Sequence, residues 1–144
     1  MVVYADTSFL CSLYVDDANT HPARKWIRQT NTPLVLTHFQ RHELRNAVRL
    51  HMFRKVMTAG ECSQVLANIE EDIHSGALVS TPTNWDEAYA RAEILSNSST
   101  GTTGCRASDI LHVAIAQTLS ADTFLTFDIR QRALAKIAKL KTPL

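Results

Sequence analysis

Cys105-Arg-Ala-Ser-Asp109-Ile-Leu-His-Val-Ala-Ile-Ala116, followed by Thr123-Phe-Leu-Thr-Phe-Asp128, is the stretch that decides the fold class. Its first part is apolar nearly all the way round a helical repeat, which predicts a centrally buried helix with Ser108 as N-cap and Asp109 in the first turn. Its second part, Thr123 to Phe127, is a short apolar run of the kind a strand buried on both faces needs. A buried helix feeding a buried strand is one repeat of a parallel sheet, since parallel strands require a crossover between them.

The same alternation extends toward the N-terminus. Val2 to Ala5 reads as a buried strand, followed by a helix from Ser8 to Val15. Asn19 or Thr20 caps a second helix, with Pro22 in its first turn and Ala23, Trp26 and Ile27 on one face. Pro33 to Thr37 reads as a second strand. Thr37 or His38 then opens a long helix with Phe39, Leu44, Ala47, Val48 and Leu50 as its apolar stripe. Thr58-Ala-Gly-Glu61 matches a capping box and starts a helix carrying Val65, Ile69 and Ile73, ended by Gly76. Ala77 to Ser80 is a third strand. Thr83-Asn-Trp-Asp86 repeats the capping pattern before Ala88, Ala92 and Leu95. Ser96 to Gly104 has the composition of a loop. Ile129 to Leu140 is a final helix. Strands alternating with helices imply an α/β sandwich with a mainly parallel sheet and helices on both faces. The length, 144 residues, predicts a single domain, 1–144.

Composition excludes more than it identifies. The chain is 45% apolar and 20% charged, with a formal net charge of +1, so no global charge points to nucleic acid or membrane. Cys11, Cys62 and Cys105 are odd in number and widely spaced, which fits neither a disulfide framework nor a zinc site. The opening Met-Val-Val-Tyr-Ala-Asp has no basic segment ahead of an apolar one, so no secretory leader is expected. No apolar run reaches the length of a membrane span. The expectation is a soluble, cytoplasmic protein. A glycine-rich phosphate loop, a Cys–His pair and a G-x-S-x-G elbow are all missing.

Four carboxylates carry the chemistry. Asp6 directly follows the first strand and Asp128 the last, and the carboxyl ends of parallel strands are where ligand sites form. Asp109 lies in the first turn of the apolar helix, and Glu43 about a turn into the helix after the second strand. Acidic groups at the mouths of apolar elements are costly, because like charges and desolvation both oppose ionisation. A divalent cation offsets that cost, and Mg²⁺ prefers oxygen ligands while keeping waters for reaction with phosphate esters. The pattern points to phosphodiester hydrolysis. Each residue also has a structural reading: Asp6 and Asp128 as helix N-caps, Asp109 as a favourable charge at a helix start, and Glu43 as an ion-pair partner of Arg45 or a solvated side chain. Their joint placement is what favours function.

At these residues the sequence resembles the PIN-domain family, particularly the VapC-type toxins of toxin–antitoxin pairs. Tyr4-Ala-Asp-Thr-Ser-Phe-Leu10 resembles the family's first motif. Thr37-His-Phe-Gln-Arg-His-Glu-Leu-Arg-Asn-Ala47 is similar to the second, Cys105 to Ala116 to the third, and Thr123 to Ala135 to the fourth. The resemblance spans nearly the whole chain. It implies a three-layer α/β/α sandwich with a mainly parallel sheet of four to five strands, and metal-dependent ribonuclease activity with Mg²⁺ or Mn²⁺. It also implies that Asp6 and Asp109 are direct metal ligands, that Glu43 and Asp128 complete the site directly or through water, and that Thr7 or Ser8 orients Asp6 or a bound water. An RNA substrate, an inhibitory antitoxin and a homodimer are further implications.

Other residues admit two readings each. Arg41, Arg45 and Arg49, spaced by four with Arg54 and Lys55 beyond, form a basic stripe that suits RNA phosphates or simply a solvated helix face. Arg106 suits a phosphate contact or an ion pair that braces the site. His112, set among apolar neighbours, reads as a packing residue rather than a general base, and Trp26, Trp85 and the phenylalanines read as core rather than base-stacking platforms. Three further functions compete with the toxin: a PIN nuclease of RNA processing or structured DNA, a non-catalytic metal-binding interaction module, and a phosphoacceptor domain. The last wants a lysine after the final strand, where Ile129-Arg130 stands.

Overall fold

Four three-residue strands alternate with seven helices in a computed structural model that describes residues 1–144. The strands are Val3–Ala5 (β1), Leu34–Leu36 (β2), Leu78–Ser80 (β3) and Thr123–Leu125 (β4). The helices are Thr7–Tyr14 (α1), Thr20–Thr30 (α2), His38–Phe53 (α3), Ala59–Ser75 (α4), Trp85–Thr103 (α5), Ala107–Thr118 (α6) and Ile129–Ile137 (α7). Every strand pairing is parallel, as the alternation predicts, but the hydrogen-bonded sheet consists of two pairs, β1 with β4 and β2 with β3. No helix is long and apolar enough to cross a membrane.

The chain divides into two compact units, residues 1–6 with 82–144, and residues 7–81. In the first unit, β1 and β4 lie side by side with Tyr4 opposite Phe124, and their rings stack at 5.6 Å. Both strands are buried throughout, which explains their mainly apolar sequence. Helices α5, α6 and α7 pack on one another around this pair. The buried face of α6 holds Ile110, Val113, Ala114, Ile115 and Ala116, and His112 is buried with them. Its Nδ1 lies 2.8 Å from the Tyr4 hydroxyl, so His112 is a satisfied core side chain.

In the second unit, β2 and β3 pair in register from Leu34↔Leu78 to Leu36↔Ser80. Phe9 and Leu10 of α1, Leu44 and Val48 of α3, and Ile69 of α4 form the fully buried centre. Thr37 makes a complete capping box with Gln40, and Thr58 accepts from the Glu61 backbone, so both helix starts lie where the sequence places them. Gly76 ends α4 at φ 85°, a conformation open to glycine without strain. Leu50 departs from the expected stripe: it is exposed, because the stripe turns outward in the last helical turn.

Several local expectations fail. Ser96 to Gly104 is not a loop; α5 continues to Thr103 and ends on Gly104 at φ 66°. Ala88, Leu95 and Ser99 form one buried stripe, so a serine takes the last core position and hides the helical period. The Thr102 and Thr103 hydroxyls donate to the Ser99 carbonyl, at 3.1 and 2.8 Å, and thereby stay satisfied inside the helix. The cap of α5 is Asn84, which accepts from Glu87, while the Thr83 hydroxyl is buried without a partner. Likewise α6 starts with Arg106 at the N-cap position and no side-chain cap, so Ser108 is already inside the helix. Trp85 and Phe53, expected in the core, lie at the surface, at 37% and 83% exposure.

Gly101 sits in the helical tail of α5 with nothing within 4 Å of an added Cβ. Gly101→Ala is therefore expected to stabilise the fold by about 0.5–1 kcal/mol, read as a higher urea midpoint at unchanged m-value. A loop at this position would give no such gain.

Candidate active site

Asp6 leaves the end of β1 and is almost fully buried, at 4% exposure. Its backbone N–H continues the strand ladder by donating to the Leu125 carbonyl at 3.0 Å. That register sets its carboxylate against Thr126, whose hydroxyl donates to Asp6 Oδ2 at 2.8 Å. The same hydroxyl lies 2.8 Å from Gln131 Oε1 and accepts from the Asp128 N–H at 3.0 Å. A hydroxyl has one proton to give, so Thr126 serves the carboxylate and the amide in alternation.

Asp128 occupies the N-cap of α7, where Oδ1 accepts from the Gln131 N–H at 2.8 Å. The structural reading of Asp128 is thus correct, and it leaves the second carboxylate oxygen for other use. Gln131 in turn donates from Nε2 to the Asp109 carbonyl at 3.3 Å. A continuous chain of hydrogen bonds therefore runs from Asp6 through Thr126, Asp128 and Gln131 to the backbone of the first turn of α6. Three of the four predicted acidic residues are brought onto it. Asp109 keeps its side chain 27% exposed, with Arg106 Nε 3.8 Å from Oδ2. At 85% exposure Arg106 makes only a loose, screened pair there.

Glu43 belongs to the other unit. Its Oε1 accepts from the Thr7 hydroxyl at 2.7 Å, and Ser8 is exposed. Arg45 does not pair with Glu43. Arg41 and Arg45 both reach Glu70 of α4, at 2.8 and 2.6 Å, which takes two of the three stripe arginines into a brace between helices. Arg49 is exposed. No three Asp, Glu, His or Cys side chains stand close enough together to enclose a metal ion.

The sequence reading missed Thr126 and Gln131. Gln131 had a signal: Asp128-Ile-Arg-Gln131 has the spacing of a capping box. Thr126 had none, because a threonine near a strand end has many uses.

A cleft of about 150 Å³ in the second unit is lined by Leu13, Tyr14, Ile27, Leu34 and Asp72, and contains none of the four predicted carboxylates. There the Tyr14 hydroxyl donates to Asp72 at 2.5 Å, and burial followed by that bond pushes its pKa up. Burial, followed by the charge of Asp17, pushes the Cys11 thiol up to about 11, so it is protonated and a poor nucleophile in the neutral range.

Thr126→Val is the near-isosteric test of the hydrogen-bond chain. It leaves two buried acceptors and one N–H without this hydroxyl, so a loss of about 1–3 kcal/mol in urea unfolding is expected. An unchanged midpoint would show that the chain does not hold the first unit together.

A search of the curated proteins returns no match. Among solved structures, the chain is similar to VapC20 of Mycobacterium tuberculosis, described as a sarcin–ricin loop cleaving toxin, at TM-score 0.65 and 16% identity, over 91% of this chain and 93% of that one. It is also similar to FitAcB from Neisseria gonorrhoeae, at TM-score 0.64 and 19% identity, over 98% and 96% of the two chains. A third likeness is PAE2754 from Pyrobaculum aerophilum, at TM-score 0.59 and 16% identity, over 99% and 83%. Identities this low speak for a shared fold alone. Residues 3–137, spanning both units and all four acidic positions, match the PIN domain. The chain belongs to the PIN domain family.

Proposed function

We propose that this protein is a divalent-metal-dependent endoribonuclease, the toxin of a type II toxin–antitoxin pair, working through Asp6, Glu43, Asp109 and Asp128. The observation that carries this reading is the hydrogen-bonded chain linking Asp6, Asp128 and the Asp109 turn within a PIN-family chain. A buried carboxylate at 4% exposure supports this reading, since burial opposes its ionisation and a cation would offset that cost. The similarity to a toxin that cleaves the sarcin–ricin loop supports RNA as the substrate class.

The donor set fits a hard cation. All four groups offer oxygen, and Mg²⁺ typically takes only one or two carboxylates while keeping its waters. Asp6 and Asp109 are the proposed direct ligands, and Glu43 and Asp128 act directly or through water. A bound Mg²⁺ or Mn²⁺ would supply an acidified water and positive charge for displacement at phosphorus. The chain's own residues do the positioning. Thr126 turns Asp6, Thr7 fixes Glu43 Oε1, and the Asp128 cap holds the start of α7. In this reading residues 1–144 act as one PIN domain, in the cytoplasm, as a homodimer that an antitoxin silences. The apolar lining of the cleft beside Tyr14 suits an amphipathic antitoxin segment.

The test is cleavage of a mixed RNA panel with Mg²⁺ or Mn²⁺, with EDTA, and with Asp109→Asn. Cleavage that needs the metal and falls about a hundredfold or more in the folded variant is expected, a larger loss than outer-shell changes bring. Full activity in folded Asp109→Asn protein would sink the proposed site. Metal binding without turnover on any RNA would favour a non-catalytic module instead.

A further inference from the structure

The near-neutral total hides a concentration of positive charge. From His38 to Gly60 the sequence carries Arg41, Arg45, Arg49, Arg54 and Lys55 against one acidic residue, Glu43. Glu70 occupies Arg41 and Arg45. The other three cations are exposed and gather where α3 ends. Among them stands Phe53, 83% exposed, with Met52 at 39% and Val56 at 67%. Arg49 and Phe53 are four residues apart in α3 and so share a face.

Cations at a helix C-terminus favour its dipole, and that alone would account for Arg54 and Lys55. It does not account for a phenylalanine left in water between them. Lys55, at φ 57°, is the left-handed residue that closes α3 in a Schellman turn and fixes where its side chain leaves the helix end. The turn is firmly held. Arg54 N–H donates to Leu50, Lys55 N–H to Met52 and Val56 N–H to His51, at 2.9, 3.0 and 3.0 Å.

We propose that Phe53, with Arg49, Arg54 and Lys55, forms an RNA-holding surface that takes an unpaired nucleotide, its base stacked on the Phe53 ring and its flanking phosphates on the three cations. The proposal rests on the nuclease reading and narrows its substrate class to RNA with a single-stranded or loop segment. A base paired inside a duplex cannot present its face to a side chain, whereas a splayed base can. Charge complementarity selects this occupant. A polyanion neutralises all three cations at once, while a second copy docked through the same patch would set them against their own kind.

The test measures binding apart from cleavage. A labelled, mixed-sequence single-stranded RNA and its duplex are titrated with protein in EDTA, and cleavage of the single strand is assayed separately with Mg²⁺. Phe53→Ala is expected to weaken single-strand binding about tenfold and leave duplex binding nearly unchanged. Lys55→Gly relieves the left-handed lysine and so keeps the fold. It is expected to weaken binding to both RNAs and to reduce the slope of log affinity against log salt by about 0.7 for the single strand. Lys25→Ala, an exposed cation on α2, controls for simple charge loss and should change neither. Unaltered binding by Phe53→Ala and Lys55→Gly, in a protein that cleaves RNA, would overturn the surface and leave the nuclease standing. A wild-type protein that neither binds nor cleaves RNA would overturn both. A change of oligomeric state in Phe53→Ala with RNA binding intact would overturn the proposal in favour of self-association.

Discussion

The parallel pairing of β1 with β4 is the constraint on which the first unit rests. Register puts Ala5 opposite Leu125, and from that one alignment the Asp6 N–H meets the Leu125 carbonyl and the Asp6 carboxylate meets Thr126. A slip of one residue would turn each side chain of a strand to the opposite face and separate Asp6 from its hydroxyl. The stacked Tyr4 and Phe124 rings, both fully buried, hold the alignment with apolar area and the directional preference of aromatic pairs. The Tyr4 hydroxyl then extends the same strand to α6 through His112. One short strand thus places both a core and a carboxylate.

The first motif changes allegiance between consecutive residues. Asp6 is bonded within the first unit and Thr7 within the second, where its hydroxyl holds Glu43. The acidic groups accordingly have different supports. Asp6 is fixed by a buried hydroxyl shared with an amide, a small network whose bonds polarise one another in a low-dielectric setting. Glu43 accepts from the Thr7 hydroxyl at the start of α1. Asp128 has the most conventional task, capping a helix, and this is compatible with a ligand role because a carboxylate has two oxygens.

Strong, redundant signals made much of this legible in the sequence. Short, mainly apolar runs marked all four strands, and Thr37, Thr58 and Gly76 marked helix ends through residue-specific backbone chemistry. Asp6 was legible because it directly follows β1, and Asp128 because it closes the apolar run that begins with β4. The missed features depend on partners that local sequence does not name. Ser99 is a core residue only because α5 packs on α6, and its serine and threonine neighbours stay helical by bonding back to the Ser99 carbonyl. Asn84 outcompeted Thr83 for the same cap one residue later, with Glu87 in place of Asp86. The stripe of arginines looked uniform until Glu70, far along the chain, divided it into bound and exposed members. Thr126 could be recognised only once the β1–β4 register was known.

The separation of the two strands along the chain has a consequence for biosynthesis. Thr126 and Asp6, which share a hydrogen bond, are 120 residues apart, whereas the second unit is one uninterrupted segment. On the ribosome that segment can collect its core while the rest is still being made, because domains form as their residues emerge. The β1–β4 ladder cannot close until β4 has left the exit tunnel, and β1 waits exposed in the meantime. The network that orients Asp6 is therefore among the last parts of the molecule to exist, so a nascent chain carries Asp6 without its Thr126 partner until synthesis is nearly complete.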